Sequence, residues 1–119
     1  MKKILIALAI ALAFGCTKKP NDVSKDFAQN IVDGKTDAAF KSMVPNFSMM
    51  SESGVKNWLG ENSAKLKAEG IKNIEIVKSQ EENDVSVVEL KLTNQKNQSL
   101  NLTLRLQKQD GKWLISEVR

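Results

Sequence analysis

The sequence contains no histidine and no tyrosine, and it has a single cysteine. Histidine is the commonest general base and the usual zinc ligand, so its absence excludes Ser-His-Asp chemistry and Cys/His metal sites. One cysteine excludes an internal disulfide. No Gly-x-x-x-x-Gly-Lys-Ser/Thr pattern occurs, so the glycines form no phosphate-binding loop of that kind. We therefore predict a protein that is not an enzyme, with no catalytic residue, no metal site and no cofactor.

Carboxylates remain as candidates for acid–base or metal chemistry. Asp33 and Asp37 lie four positions apart, but Gly34 separates them, so they need not share a helix face. Three further carboxylates cluster in segment 81–84, where they could bind a hard cation weakly. A solvated turn is the simpler interpretation of that cluster.

The charge balance does not indicate a nucleic-acid binder. The formal net charge is +4, and removing residues 1–15 would leave +2 over 104 residues, enough for one domain. A nucleic-acid interface usually shows a basic stripe with interleaved aromatic residues, and none is present. The pair Lys18-Lys19 reads as part of a solvated linker, or as a weak contact to anionic lipid head groups.

The amino terminus has the parts of an export signal. Lys2-Lys3 precedes an unbroken apolar stretch of eleven residues, 4–14. That length fits a signal core of about 7–15 residues and falls short of the roughly 20 that span a bilayer. Small Gly15 then stands before Cys16. We predict a signal peptide over residues 1–15, a tether over 16–22 and a single domain over 23–119.

The Gly15-Cys16 junction resembles the bacterial lipobox, although Ala13 stands where leucine is commonest. The resemblance implies cleavage between the two residues and a lipid on the sulfur of Cys16. Because Thr17 rather than aspartate follows, the same resemblance implies the outer membrane, facing the periplasm. The alternative is an ordinary secretory signal with a chance cysteine near its end.

The first half of the domain is predicted to be helical. Val23, Phe27 and Ile31 recur at four-residue intervals, with a cap at residues 21–22 and a left-handed end at Gly34.

Two further helices are expected before residue 70. A short one starts at Thr36 or Asp37 and is closed by Pro45. The next carries Val55, Trp58, Leu59 and Leu66 on one side and ends at a Gly70 cap. A kink or break is expected at Gly60, since glycine costs about 1 kcal/mol inside a helix.

The second half alternates with a period of two, as strands do. Ile74 and Ile76 begin the pattern, a phase change between Val87 and Val88 suggests a β-bulge, and leucines occupy every second position over 100–106. Turns are expected at 81–84, at 94–97 and at Asp110-Gly111, a strong hairpin signal. The predicted class is α+β: helices first, then a bent four-stranded antiparallel meander.

Two segments resemble cystatin-like and nuclear-transport-factor-2-like domains. Residues 27–40 (FAQNIVDGKTDAAF) are similar to their opening helix pair, although Lys35 and Thr36 separate Gly34 from the aspartate that follows. Residues 110–115 (DGKWLI) are similar to their closing strand. Lipoproteins of the domain of unknown function 4878 combine a lipobox with this layout. The resemblance implies a cone of sheet around helices, a fold that does not by itself choose a function.

One apolar group lies around the connector between the second and third helices, where a cone would have its mouth. Methionine adapts to irregular shapes and is frequent at binding surfaces, although ordinary core packing would use the same residues. The candidate ligand-facing residues are Met43, Phe47, Met49, Met50 and Trp58.

The leading hypothesis is a membrane-anchored, non-enzymatic module that binds a small apolar ligand or an envelope protein. One alternative is an accessory subunit of an envelope complex that pairs through the edge of its first strand, residues 71–80. Another is a small hydrolase or isomerase with an acidic residue deep in the cone. A homodimer is also compatible, since relatives often dimerise through the outer face of the sheet.

Overall fold

The computed structural model describes residues 18–119, so the predicted signal peptide and Cys16 lie outside the described residues. Three helices come first, and they are α1 (Pro20–Val32), α2 (Thr36–Lys41) and α3 (Glu52–Glu69), with a short 3₁₀ turn at Phe47–Met49. Four strands follow: β1 (Ile71–Glu82), β2 (Val85–Asn94), β3 (Ser99–Gln109) and β4 (Lys112–Val118). The strands pair antiparallel in the order β1-β2-β3-β4. The predicted α+β class and meander are confirmed.

Helix α1 begins three residues before the first position of its apolar stripe. Pro20 takes the first helical position, where its fixed φ and missing N–H are tolerated. Lys19 occupies the cap position without a side-chain hydrogen bond, so the predicted cap at residues 21–22 is wrong. Gly34 follows the helix with a φ of 79°, as its predicted left-handed role requires.

Helix α3 runs unbroken through Gly60, so the predicted kink is wrong. Leu59 and Ser63 on either side of the glycine are buried, and packing of that face outweighs the propensity cost. Ser51 caps the start by accepting a hydrogen bond from the N–H of Gly54, and the left-handed Gly70 ends the helix. No helix within residues 18–119 is both long enough and apolar enough to cross a bilayer.

The bulges lie in β1 and not in β2. The pairing of β2 with β3 is continuous from Val85 to Thr93, so the bulge predicted between Val87 and Val88 is wrong. In β1, Lys72 and Val77 are left without an opposite residue in β2. Val87 and Val88 instead lie on opposite faces of a regular strand. Val87 is on the outer face, whereas Val88 is fully buried.

The core lies between α1, α3 and the sheet surface that faces them, which we call the inner face. Large side chains from all three fill it to the exclusion of solvent. The most completely buried of them are Phe27, Leu59, Leu90, Leu92, Leu104, Leu106 and Ile115.

The two edges of the sheet differ. At the β4 edge, Ile115 makes two backbone hydrogen bonds to the segment before the 3₁₀ turn. Its carbonyl accepts from the N–H of Val44 (2.9 Å), and its N–H donates to the carbonyl of Ser42 (2.7 Å). Met43 lies between and forms a parallel bridge to the strand, so this edge is covered. At the other edge, within residues 18–119, β1 pairs with β2 alone.

Candidate functional site

An apolar crevice opens between the helices and the inner face, at the end of the sheet where β3 begins. Its volume is about 60 Å³. It is lined by two residues of α1, three of α3 and four of the last three strands, namely Phe27, Ile31, Trp58, Asn62, Leu66, Leu92, Leu100, Leu102 and Val118. An engineered cavity that binds benzene has about 150 Å³, and drug-sized ligands need about 300–1,000 Å³. Side chains therefore fill most of the space between helices and sheet.

Helix α3 contributes one stripe to the crevice. Trp58, Asn62 and Leu66 are four residues apart and so share a helix face. The Nδ2 of Asn62 donates to the backbone oxygen of Trp58 at 2.9 Å. No donor within residues 18–119 contacts the Oδ1 of Asn62. The lining of the crevice is thus apolar except for the side-chain amide of Asn62.

Strand β3 supplies the open side. Leu100, Leu102, Leu104 and Leu106 all point to the inner face, as their alternation predicted. Leu104 and Leu106 are fully buried and Leu102 is half-buried, whereas Leu100 is 43% exposed. The helices cover one end of this leucine row and leave the other accessible.

The five predicted ligand-facing residues do not form one site. Trp58 lines the crevice, and buried Phe47 packs against it in a tilted arrangement, with ring centroids 5.5 Å apart and an interplanar angle of 43°. Met43 is buried against the covered sheet edge, and Met50 packs partly buried on the core. Met49 is 96% exposed at the tip of the 3₁₀ turn. One residue of the five lines the crevice directly.

A shallower depression of about 120 Å³ lies on the outer face of the sheet. It is lined by Val87, Thr103, Arg105, Glu117 and Arg119. The carboxylate of Glu117 accepts hydrogen bonds from Arg119, at 2.8 Å from Nε and 2.7 Å from Nη2. Glu117 and Arg119 thus pair with each other, and Arg105 adds a second guanidinium to the lining, so this depression is a weaker candidate for an apolar ligand.

The start of α1 carries one perturbed side chain. The Nζ of Lys18 lies 2.8 Å from the Oδ2 of Asp26, and this hydrogen bond and charge raise the pKa of Lys18. Both side chains are more than half exposed, so solvent screens the pair. Elsewhere in residues 18–119, no group of three or more acidic, histidine or cysteine side chains is arranged to hold a metal ion.

Comparison with solved structures identifies the architecture. A candidate NTF2-like transpeptidase from Campylobacter jejuni superimposes with a TM-score of 0.72 at 22% identity, covering 82% of this chain and 97% of that one. A de novo designed NTF2-fold protein follows with a TM-score of 0.61 at 16% identity, covering 83% and 80%. The chain has the NTF2-like fold.

An NTF2-like protein of unknown function from Shewanella oneidensis also matches, with a TM-score of 0.55 at 18% identity and coverage of 84% and 97%. No protein-family model and no curated protein sequence matches the chain. At these identities, the neighbours show the fold and not the activity.

Within this NTF2-like fold, the sequence predicts which face most of the crevice residues occupy, but it does not predict that they line an open crevice. The leucine alternation over 100–106 identified their common face, but it could not show where the helices stop covering it. Asn62 carries no signal, because an asparagine inside a helix is usually a solvated surface residue. Its role depends on α3 passing over the inner face.

Proposed function

We propose that this protein is a lipid-anchored lipoprotein of the bacterial envelope whose NTF2-like domain binds a partner protein. The partner would insert one apolar side chain into the crevice beside Leu100. The observation that carries the proposal is the crevice itself, with apolar walls, an open mouth and no titratable side chain in its lining.

The volume of the crevice favours a protein side chain over a free ligand. Small-molecule pockets are several times larger than about 60 Å³. Protein interfaces, by contrast, often concentrate binding energy in one anchor residue that fills a small, well-packed pocket. The free Oδ1 of Asn62 could accept a hydrogen bond from the backbone of such a segment, which would fix its orientation.

The absence of an ionisable group in the crevice leads us to propose binding rather than catalysis. The buried polar side chains described in residues 18–119 are Ser24, Ser63, Ser86 and Asn94, none of them a carboxylate. A hydrolase or isomerase would need a proton acceptor within hydrogen-bond reach of its substrate.

The anchor part of the proposal rests on the sequence pattern before Cys16 and on the start of α1. Because the helix begins at Pro20, residues 16–19 alone would link the lipid to the domain. Four extended residues reach at most about 14 Å. The domain would therefore lie close to the membrane that holds the lipid.

Photo-crosslinking tests the crevice. A photoreactive amino acid at Leu100 of the full-length chain should give one discrete crosslinked species in the envelope fraction. The same group at Val87, which is 41% exposed on the outer face, is the matched control and should not give it. Asn62→Leu, combined with the Leu100 probe, should weaken the crosslink several-fold. Equal crosslinking from both positions would contradict the proposal.

Intact-mass measurement tests the anchor. Protein isolated from its native membrane should have the mass of residues 16–119 plus acyl chains, and Cys16→Ser should be unacylated and released. An unlipidated wild-type chain would overturn the lipoprotein assignment and leave the crevice proposal standing.

A further inference from the structure

The free edge of β1 carries charges of alternating sign at every third position. Lys72, Glu75, Lys78 and Glu81 follow one another along the strand, and all four are exposed. The backbone groups of an uncovered edge are ready to pair with another strand. Because the opposite edge of the sheet is covered by the segment around Met43, β1 is where the described sheet can be extended.

A bulge brings the two central charges onto one face. Glu75 lies opposite Lys91 in β2, and Lys78 lies opposite Glu89. Since Lys91 and Glu89 are two positions apart, they point to the same side of the sheet. The extra residue Val77 thus puts Glu75 and Lys78 together on the outer face, although an odd number of positions separates them.

We propose that β1 pairs antiparallel with β1 of a second copy, with Glu75 opposite Lys78 of that copy. The same register sets Lys72 opposite Glu81, and two-fold symmetry repeats both pairs, which makes four attractive contacts in all. At the centre, Ile76 of each chain meets Val77 of the other. Val77 is 55% exposed in the single chain, and this pairing would cover it.

The charge pattern opposes the registers that are shifted by three residues. A slip of three residues in one direction places Glu75 opposite itself, and a slip in the other direction places Lys78 opposite itself. Like charges directly opposite one another destabilise a strand pair. Because the pattern is complementary to its own antiparallel copy, a second copy of this chain is the partner that fits.

The proposed pairing does not depend on the proposed function. No residue of β1 lines the crevice, so a dimer of this kind would leave both crevices open in one continuous eight-stranded sheet. Either proposal can fail without affecting the other.

Charge exchange at Lys72 and Glu81 tests the pairing with little effect on the fold. Lys72 stands at a bulge, where its Nζ donates one exposed hydrogen bond to the Oδ1 of Asn97 (3.0 Å), and Glu81 lies opposite uncharged Ser86. Glu75 and Lys78, by contrast, lie opposite charged residues of β2. For the full-length protein in detergent, K72E should weaken the dimer about tenfold in sedimentation, because two attractive pairs become repulsive. E81K should do the same, and the double variant K72E/E81K should restore association. Lys65→Glu, an exposed change on α3, is the control and should leave it unchanged.

Cysteine crosslinking reads the register directly. The proposed pairing sets Asn73 opposite Gln80 of the second copy, whereas the two copies of either position lie seven residues, or about 23 Å, apart along the strand. A disulfide needs Cα atoms within about 7 Å. Oxidising a mixture of N73C and Q80C chains should therefore give a covalent dimer. Each variant alone, and the unsubstituted chain, should not.

The pairing would be overturned by a monomeric wild-type protein, by a dimer insensitive to K72E, or by a dimer that the mixed cysteine variants do not crosslink. A β1 edge that instead captures a different protein, with no self-association, would also overturn it.

Discussion

Two leucines of β3 differ in burial although they hold equivalent positions in the sequence pattern. Leu104 and Leu100 both occupy the inner face of β3 in the same alternating pattern. Leu104 is fully buried, opposite Val88, whereas Leu100 is 43% exposed at the mouth of the crevice. Alternation decides which face a side chain takes, and the helices decide whether that face is covered. The packed end of the leucine row stabilises the domain, and the open end is available for binding.

Truncating both leucines gives the largest expected contrast. Leu104→Ala should lower the free energy of unfolding by about 2–5 kcal/mol, because it removes buried contacts and leaves a cavity. Leu100→Ala should cost less than about 1 kcal/mol, since much of its surface is already in water. Urea unfolding of the two variants measures both. Equal losses would show that the crevice is closed in solution and that Leu100 belongs to the core.

Asn94 tests whether the open end depends on its own turn. Its buried Oδ1 accepts hydrogen bonds from the N–H groups of Lys96 (3.0 Å) and Gln98 (2.9 Å), and its Nδ2 donates to the Oε1 of Gln98. Asn94→Ala should cost about 1–3 kcal/mol, because the turn loses three hydrogen bonds made by a side chain that is buried.

Hydrogen exchange should locate that loss at residues 94–99 and leave the buried end of β3 protected. Asn101→Ala, an exposed change on the outer face, should stay within about 0.5 kcal/mol of wild type. Equal loss of protection at both ends would mean that the two ends of the row open together.

Gly60 inside α3 and Gly70 directly after its last residue should change stability in opposite directions when each is replaced by alanine. Gly60→Ala should stabilise by about 0.5–1 kcal/mol, because a Cβ there meets no atom within 4 Å and alanine favours the helix. Gly70→Ala should destabilise by about 1–2 kcal/mol, since its φ of 66° is left-handed. Thermal unfolding measures both. A destabilising Gly60→Ala would mean that α3 is bent at that point, as its sequence alone suggests.

Local signals predicted most of the fold. The Asp110-Gly111 hairpin, the left-handed Gly34 and Gly70, and the order of helices and strands all depend on neighbours close in the chain. Two of the predictions that failed concern longer-range effects. The break at Gly60 is overridden by packing on either side, and the bulge expected in β2 lies in β1, whose pairing partner is not visible in a short window.

The residues of the candidate site were less predictable from the sequence than the fold was. The aromatic side chain of Trp58 was identified from its setting in an apolar group, but Met43 and Met49 from the same group have opposite fates, one buried at the sheet edge and one exposed on a turn. Composition cannot separate them, because methionine suits both environments.

The order of residues was enough to establish helices followed by an antiparallel meander, the face of β3 that turns inward, and the absence of histidine chemistry, because each depends on residue type or on a local period. Only the tertiary structure decided that Leu100 stays accessible while Leu104 does not, that Asn62 faces the crevice, and that one sheet edge is covered while the other is free. These features depend on how much of the sheet is covered by α1, α3 and the segment around Met43. No periodicity in the sequence encodes that coverage.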